Sequence, residues 1–404
     1  MSWGNKTLGE GLSIKHGFAF KSEHFGDDPD YPVLVTPGNF ANDGGFKQTK
    51  LKTYSGSVKH EYVLPPGATI VTMTDLSKTA DSLGAAAIVP NDGRAYLHNQ
   101  RIGLLQTCEP EMFDLRFIRY LTSTKEYRQY VVGTATGTTV RHTSPKRILE
   151  YSTIIPGIHE QRAIAEVLGA LDDKIAANER VVGTAESLAD ALFLSAAADY
   201  SPGPITFQEV ASIEGGGTPK TKVEDYWGDE VAWATPTDVT QLNGLFLGDT
   251  GRKLTEAGLS ACSSRLHPAG SILMTSRATI GALAIAAIPM AVNQGFIVAN
   301  AIESDGQWWL YHEMKSRVPE FLNFANGATF MELPRGKFKQ IPVRWPSEEE
   351  LRSFNVAVSE IHERGRAAGV ESASLARTRD ELLPLLMSGK ISVKDAETVV
   401  SDAV

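Results

Sequence analysis

Two short patterns in the sequence could carry chemistry. Asp172-Asp173-Lys174 resembles the acidic-x-Lys end of a nuclease site, and Gly215-Gly216-Gly217-Thr218 could cradle a phosphate with its backbone amides. The acidic pattern lies between Leu171 and Ile175 on an apolar helix seam, which favours surface ion pairing over catalysis. The glycine run lacks the Lys-Ser/Thr that completes a phosphate loop, so a tight turn is the favoured interpretation.

The sequence carries no signature of a catalytic or cofactor-binding chain. It lacks the Asp/Asn-Pro-Pro-aromatic motif of adenine methyltransferases, the GxxxxGK[ST] phosphate loop and the glycine-rich turn of a dinucleotide-binding unit. The nine histidines form no Ser/His/Asp or Cys/His arrangement. Cys108 and Cys262 have no CxxC partner and no histidine at metal spacing, so we expect two reduced core residues. The sequence therefore predicts a non-catalytic chain without a metal or cofactor.

The chain repeats itself with a period of about half its length. Gly137-Thr138-Thr139-Val140 and Pro156 return as Gly327-Ala328-Thr329-Phe330 and Pro346, each the same number of positions later. Equal spacing of independent landmarks indicates a tandem duplication of a globular part followed by a helix. The upstream landmarks agree: Thr36-Pro37, Pro66-Gly67 and Asn99-Gln100 match Thr235-Pro236, Ala269-Gly270 and Asn293-Gln294.

Each globular part has a mixed pattern. Short apolar runs at 68–72, 85–89, 271–274 and 296–299 are bounded by Gly, Pro, Asn and Asp, which predicts strands. Residues 112–130 and 308–324 instead have helical periodicity. We predict an α+β fold with two similar mixed domains at 1–155 and 201–345, each followed by a long helical segment, at 156–200 and 346–404.

The two long helices give the clearest signal. Their apolar positions step by four and three residues, which draws a narrow seam that needs a partner helix. Pro156 and Pro346 mark the entries, Ser347 and Glu350 have capping-box spacing, and Ser201-Pro202 and Gly389 mark the exits. We predict an antiparallel coiled-coil pair of helices, each about 35 to 40 residues or roughly 50 to 60 Å long, separating the two domains with pseudo-two-fold symmetry. The predicted seam residues are Ile164, Leu168, Leu171, Ile175, Val182, Leu192, Phe354, Val358, Ile361, Leu375, Leu382 and Leu386.

The charge distribution fits this division. The formal net charge is −9, and residues 151–200, with 3 basic and 8 acidic side chains, and 345–404, with 7 and 11, account for all of it. A solvated helix face explains that acidity without any partner. The longest apolar stretch, Gly281 to Pro289, is far short of the ~20 residues of a membrane span, and the first residues lack an apolar signal core. We therefore expect a cytoplasmic protein with no membrane association.

Several segments together resemble one family. The run GTATGTTVRHTSPKRILEYSTIIPGIHEQRAIAEVLGALDDKI, Gly133 to Ile175, is similar to the passage from a target-recognition domain into a long helix in specificity subunits of type I restriction-modification systems. Further landmarks follow in the family's order across the whole chain: GGGTPKTK (Gly215 to Lys222), VAWATPTDV (Val231 to Val239), SRATIGALAIAAIPMAVNQGF (Ser276 to Phe296) and LLPLLMSGKIS (Leu382 to Ser392).

Two departures from the family pattern stand out. Glu350-Leu351-Arg352 replaces the usual Glu-Gln-x at the second helix entry. The first domain carries His16-Gly17-Phe18-Ala19-Phe20 where the second has a Gly-Thr-Pro loop. The second departure indicates that the two domains recognise different half-sites.

The resemblance implies a sequence-specific DNA-binding subunit without catalysis of its own. Such a subunit binds a bipartite, asymmetric double-stranded target, one half per target-recognition domain, with a spacer set by the helix pair. It recruits two copies of an adenine methyltransferase and two of an ATP-dependent restriction and translocation subunit. S-adenosylmethionine, ATP and Mg²⁺ are then expected on those partners and not on this chain.

Base edges are read by Arg, Lys, Asn and Gln, whereas phosphates are held by Lys, Arg, Thr, Ser and backbone amides. Polar residues on turn-rich segments shared by the repeats are therefore the candidates for DNA contact. In the first domain they are Lys15, Lys21, Asn39, Lys78, Asn99, Arg101, Thr138, Thr139, Arg141 and His142. In the second they are Thr218, Lys220, Lys222, Thr235, Thr237, Arg277, Gln294, Thr329 and Arg335. Asn99 and Asn293 recur in both halves, which also suits a structural role.

The acidic outward faces of the long helices are a candidate docking surface for methyltransferase subunits, formed by Glu166, Asp172, Asp173, Glu179 and Glu186. Two alternatives stay open on the residues alone. One is a scaffold that spaces two protein-binding heads, which the net acidity favours slightly. The other is the recognition part of a bifunctional restriction-methylation protein, which would need a catalytic domain that this sequence lacks.

Overall fold

The structure is a computed structural model that describes residues 3–41, 44–77, 79–242, 244–277, 279–325 and 331–403. It divides into two compact units. Unit 1 consists of Met1–Ile175 and Ser374–Val404, and unit 2 of Ala176–Ala373. Each contains strands and helices, as the sequence predicts. Among the described residues, no helix combines the length and the apolar character that crossing a membrane requires.

Unit 1 is built around a four-stranded sheet of order β2-β11-β7-β9 and a five-stranded sheet of order β3-β5-β4-β10-β6. Two two-stranded ribbons, β1-β13 and β8-β12, complete it. Its strands are β1 Gly4–Thr7, β2 Leu12–His16, β3 Phe25–Gly26, β4 Val33–Leu34, β5 Lys52–Tyr54, β6 Val63–Leu64, β7 Thr69–Thr72, β8 Thr74–Asp75, β9 Ala86–Ile88, β10 Tyr96–Leu97, β11 Ile102–Thr107, β12 Arg141–His142 and β13 Ser152–Ile155.

Unit 2 repeats this topology. Its sheets have the orders β14-β22-β19-β20-β17 and β15-β18-β16-β21, and each strand pair that the two units share runs in the same sense in both. The duplication seen in the sequence is therefore confirmed for the shared strands, whereas β17 in unit 2 and β6 in unit 1 extend their sheets without a counterpart in the other unit. The strands are β14 Ala211–Glu214, β15 Trp227–Gly228, β16 Val231–Ala234, β17 Phe246–Leu247, β18 Lys253–Leu254, β19 Ile272–Thr275, β20 Leu283–Ala286, β21 Ala291–Val292 and β22 Phe296–Ala301.

The short helices cover the sheets, and two predicted continuous helices are each broken in two. The segment predicted at 112–130 breaks after Leu121, where the Thr122 hydroxyl donates to Arg119 O at 2.7 Å and accepts from Ala86 N at 3.1 Å. The segment at 308–324 breaks at Arg317, before Pro319. The helices are α1 Leu115–Leu121, α2 Lys125–Gly133, α3 Pro145–Leu149, α5 Phe207–Val210, α6 Pro236–Thr240, α7 Glu256–Ser260, α8 Gln307–Ser316, α9 Val318–Asn323 and α10 Arg335–Lys339, with long helices α4 Ile158–Ala197 and α11 Glu348–Met387 and the terminal α12 Val393–Ala403.

The long helices α4 and α11 each have 40 residues, within the predicted length. The capping box at the start of α11 is confirmed, because the Ser347 N–H donates to the Glu350 carboxylate at 3.0 Å and the Glu350 N–H donates to Ser347 Oγ at 3.5 Å. The predicted exit is confirmed too. Gly389 has a φ of +68°, and the Lys390 N–H reaches back to Leu385 O at 2.9 Å, which ends the helix.

In each unit the two long helices pack antiparallel. In unit 1, Leu168 and Leu171 of α4 share a buried cluster with Leu375, Leu382 and Leu386 of α11. In unit 2, Ala189 and Phe193 of α4 share one with Phe354 and Val358 of α11. The start of α4 thus meets the end of α11 in unit 1, and the end of α4 meets the start of α11 in unit 2, as in the predicted antiparallel pair.

The seam prediction is wrong for one residue, Leu192. Leu192 is 37% exposed, whereas its neighbour Phe193 is 1% exposed and packs on Trp309, with ring centroids 5.0 Å apart. The heptad step of three fails here because the end of α4 packs against α8 as well as α11. The buried positions Ala185, Ala189, Phe193 and Ala197 therefore step by four along this end.

A buried polar chain ties α8 to both long helices in unit 2. His312 Nδ1 lies 3.0 Å from Asp190 of α4, and His312 Nε2 lies 3.0 Å from His362 Nε2 of α11. Burial lowers the pKa of His362 to about 3, and burial also lowers the pKa of His312 despite Asp190. Both rings are therefore neutral at pH 7, and a His312 ring that donates through Nδ1 to Asp190 can accept at Nε2 from His362.

Candidate nucleic-acid interface

The glycine-rich loop of unit 2 lies against the turn that follows β21. The Gly217 N–H donates to Val292 O at 3.0 Å, and Trp233 Nε1 donates to Gly217 O at 3.1 Å. A Cβ on Gly216 would fall 1.9 Å from Val292 O, so only glycine permits this approach. The glycines thus allow close backbone packing, in agreement with the tight turn that the sequence predicts.

This packing collects several of the predicted contact residues. The Thr218 hydroxyl donates to Gln294 Oε1 at 2.5 Å. The Arg335 guanidinium lies over Gly215, where a Cβ would be 2.0 Å from Nη1. Next to them, Arg277 forms a 2.9 Å ion pair with Glu332. Thr218, Arg277, Gln294 and Arg335 are all exposed, so they form one solvent-accessible polar surface.

A set of backbone hydrogen bonds, called the relay from here on, joins the segments of this surface. The Ser276 N–H donates to Gly295 O at 2.7 Å, and the Leu333 N–H donates to Ser276 O at 3.0 Å. The turn itself is closed by Asn293, whose Oδ1 accepts from Gly295 N at 2.8 Å. These bonds fix the relative positions of the side chains on the surface, and Lys220, Lys222 and Thr237 are exposed on the adjoining turns.

Unit 1 contains the same relay. The Phe18 N–H donates to His98 O at 2.8 Å, and Gly17 approaches the carbonyls of His98 and Asn99 as Gly216 approaches Val292. The Met73 N–H then donates to Arg101 O at 2.9 Å, and the Thr143 N–H to Met73 O at 3.0 Å. Each bond has its counterpart in unit 2 at the position that the repeat alignment predicts.

The first-domain departure from the Gly-Thr-Pro loop is therefore a change of side chains on the same backbone. Phe18 takes the place of Gly217 and contacts the ring of Tyr62 at a tilt of 36°, with ring centroids 4.9 Å apart. Ala19 takes the place of Thr218 and cannot make the bond to the glutamine that follows the shared asparagine. The two units therefore share one backbone arrangement, the frame formed by the relay and the glycine approach, but they present different side chains on it.

Three sequence candidates make hydrogen bonds that hold the local backbone. Asn39 is 1% exposed, and its Oδ1 accepts from the Thr36 amide and hydroxyl at 2.8 and 3.0 Å, so its prediction as a DNA contact is wrong. The half-buried Thr235 makes the same cap with Asp238 in unit 2. Asn99 closes its turn by accepting from Arg101 N at 3.0 Å. Sequence alone did not separate these capping and turn residues from contact residues because the same polar side chains serve both roles.

Most of the remaining first-domain candidates are exposed in unit 1. Arg101 and His142 are exposed beside the relay, and Arg141 is half-buried with a buried Nε that has no hydrogen-bond partner among the described residues. Lys15, Lys21, Thr138 and Thr139 are exposed. Lys78 and Thr329 lie outside the residues that the structure describes.

Asp75 lies opposite Arg141 in the β8-β12 ribbon. It accepts from Ser77 N at 2.6 Å, and from Ser82 N and Oγ at 2.7 and 2.6 Å. Burial by itself would raise the pKa of Asp75, but the hydrogen bonds from Ser82 and Ser77 hold it below the ordinary value. The carboxylate stays charged and fixes the loop that precedes β9.

The Asp172-Asp173-Lys174 pattern is not a nuclease site. Asp172 is only 18% exposed and lies between Arg119, at 2.5 Å, and Arg379, at 2.9 Å. It joins α1 to both long helices within unit 1, so it does not lie on the predicted outward acidic face. Over the described ranges, no cluster of three or more His, Cys, Asp or Glu side chains is arranged to hold a metal ion.

The comparison with protein families decides the identity. The profile of the type I restriction modification DNA specificity domain matches residues 2–182 and 204–355, which include both relays. The chain belongs to this family. The two segments that match this domain coincide with the two copies that the sequence repeat and the sheet orders indicate.

Relatives and a solved structure agree with the family. The chain is similar to the type I restriction enzyme MjaIX specificity subunit of Methanocaldococcus jannaschii, 36% identical over 156 residues, which is 38% of this chain and 36% of that protein. It is 24% identical over 362 residues to the HindI specificity subunit of Haemophilus influenzae, covering 70% and 77% of the two chains. A crystal structure of a type I restriction-modification S subunit from M. genitalium has the same fold, with a TM-score of 0.62 and 16% identity over 96% of both chains.

Proposed function

We propose that this member of the specificity family binds a bipartite, asymmetric double-stranded DNA target, with one half-site read by each unit. The observation that carries the proposal is the shared relay, which holds exposed polar side chains at equivalent places in both units but with different chemistry. A frame of this kind suits two sites that read different sequences. The domain boundaries 1–155, 156–200, 201–345 and 346–404 remain part of the proposal.

The chain itself would do no chemistry. We infer that it recruits two copies of an adenine methyltransferase and two of an ATP-dependent restriction and translocation subunit. S-adenosylmethionine, ATP and Mg²⁺ would be bound by those partners. The scaffold alternative has no observation in its favour beyond net acidity, which lies in the segments of the long helices and leaves residues 1–150 and 201–344 near neutral, at +2 and −2.

Methylation mapping tests the whole proposal. The methyltransferase encoded beside this chain would be expressed in a host without adenine N6-methylation, with and without the chain. We expect methyladenine only when the chain is present, at two short conserved blocks separated by a constant number of base pairs. Methylation that does not depend on the chain, or that follows one continuous block, would contradict the proposal.

Lys220 provides a test of phosphate contact. It is exposed beside Thr218 on the glycine-rich loop. Lys220→Ala is expected to weaken binding to all duplexes and to lower the slope of log affinity against log salt by about one unit, because one counterion fewer is released. Fluorescence anisotropy at several salt concentrations measures this slope. Lys390→Ala, at an exposed lysine beyond α11, is the control and should leave it unchanged.

The docking hypothesis is now restricted to the acidic residues that face outward. Glu166, Asp173 and Glu179 are exposed on α4, whereas Asp172 is held in its ion pairs and Glu186 is half-buried. Glu166→Lys combined with Asp173→Lys is expected to weaken capture of the methyltransferase by roughly tenfold, through its association rate. Surface plasmon resonance gives both rate constants. Unchanged association would move the interface away from this face of α4.

A further inference from the structure

A pair of facing side chains occupies the same place in each unit. In unit 1, Thr74 and His142 face each other across the β8-β12 ribbon, with Oγ1 and Nδ1 3.1 Å apart. In unit 2, Arg277 and Glu332 face each other across an antiparallel bridge and form a 2.9 Å ion pair. Glu332 and Thr74 were not among the sequence candidates.

The two places are equivalent because the backbone beside them is the same. In unit 1 the relay passes through Met73 and Thr143, which directly flank Thr74 and His142. In unit 2 it passes through Ser276 and Leu333, which directly flank Arg277 and Glu332. The facing pairs thus project from matching points of one frame, next to the turns closed by Asn99 and Asn293.

The contrast with those asparagines is informative. Asn99 and Asn293 keep the same residue and the same hydrogen bond in both units, as a structural element of the frame requires. The facing pairs differ completely in chemistry. In unit 2, moreover, the side chains are 44% and 38% exposed, so their ion pair adds little to stability.

We propose that the exposed member of each pair, Arg277 in unit 2 and His142 in unit 1, is a specificity-determining contact oriented by its partner, an inference that rests on the proposed DNA-binding function. Glu332 engages one edge of the Arg277 guanidinium and fixes its direction. The remaining N–H donors can then address O6 and N7 of a guanine, the pairing that a planar guanidinium makes in the major groove. In unit 1, His142, oriented by Thr74, cannot make this bidentate contact. The structure therefore assigns a guanine to the second half-site at the position facing Arg277, and a different contact at the matching position of the first.

A selection experiment tests the assignment. The full chain, co-purified with the methyltransferase encoded beside it, would select bound sequences from a random duplex library. Arg277→Thr combined with Glu332→His installs the unit 1 pair in unit 2. One position of one block is expected to lose its preference for guanine by about 5- to 150-fold, while the other block stays unchanged.

Controls separate the possible failures. Arg352→Thr removes an exposed arginine paired with Asp305 elsewhere in unit 2 and should leave both blocks as in the wild type. Glu332→Gln, which keeps Arg277 but removes its charged partner, should weaken the same guanine preference. Unchanged blocks in the double variant, or weaker binding with unchanged preferences, would overturn the inference while leaving the proposed function intact. A wild-type chain that selects no blocks would overturn both.

Discussion

Asp172→Asn is expected to lower the free energy of unfolding by about 3–5 kcal/mol, as breaking a buried ion pair from one side typically does. Asp172 accepts from Arg119 at 2.5 Å, Tyr120 at 2.7 Å and Arg379 at 2.9 Å. An amide leaves the Arg119 guanidinium, 17% exposed, without its counter-charge. Urea unfolding followed by circular dichroism measures the change.

The adjacent residue supplies a matched control. Asp173 is exposed on the same turn of α4, so Asp173→Asn should change the free energy of unfolding by no more than about 0.5 kcal/mol. Equal effects of the two substitutions would show that Asp172 contributes as an ordinary surface charge, contrary to its position between two arginines.

The same ion pair gives the protein a defined pH dependence. Burial by itself would raise the pKa of Asp172, but Arg119, Arg379 and Tyr120 hold it below its ordinary value of 3.8. A carboxylate whose pKa is lower in the folded state stabilises the fold above the ordinary pKa. That contribution is lost as the pH falls from about 4 through the folded pKa. The difference in stability between wild type and Asp172→Asn should therefore shrink below pH 4.

Glu313→Gln is the second substitution with a large expected effect. Glu313 is fully buried in unit 2 and bridges Arg317, at 3.0 Å, and Arg344, at 2.7 Å; it also accepts from Arg344 N at 3.1 Å. Neutralising it leaves two largely buried guanidinium groups facing an amide, at a cost of about 3–5 kcal/mol. The same urea titration, with a tryptophan fluorescence readout near Trp309, measures the loss.

Glu320 is the control for this site. It pairs with the same Arg317 at 2.8 Å but is 42% exposed. Glu320→Gln should cost at most about 1 kcal/mol, because an exposed pair is screened by water and salt. A loss as large as that of Glu313→Gln would mean that burial does not decide the contribution of these carboxylates.

Hydrophobic periodicity and the internal repeat predicted several strands and both long helices correctly. The strands at 68–72 and 271–274 and the two long helices appear where the pattern places them, because side-chain burial in each depends on local spacing. At Leu192, local spacing no longer predicts which side chain is buried. Whether the seam continues at Leu192 or moves to Phe193 depends on α8, which is remote in sequence.

The candidate surface was predicted in outline only. Residue type suggested Arg277 and Gln294, and the structure places both on one exposed face. Residue type also suggested Asn39, which caps a turn, since an amide suited to adenine is equally suited to a backbone N–H. Glu332 was missed because an acidic residue is an unlikely neighbour of DNA until its ion pair with Arg277 is known.

The most direct test of the central claim is the set of sequences that the wild-type chain selects from a random duplex library, in complex with the methyltransferase encoded beside it. Two different conserved blocks at one constant spacing are the predicted result, since two units share a frame but carry different contact residues. A single block, two identical blocks in inverted orientation, or no enrichment by an intact complex would contradict the account.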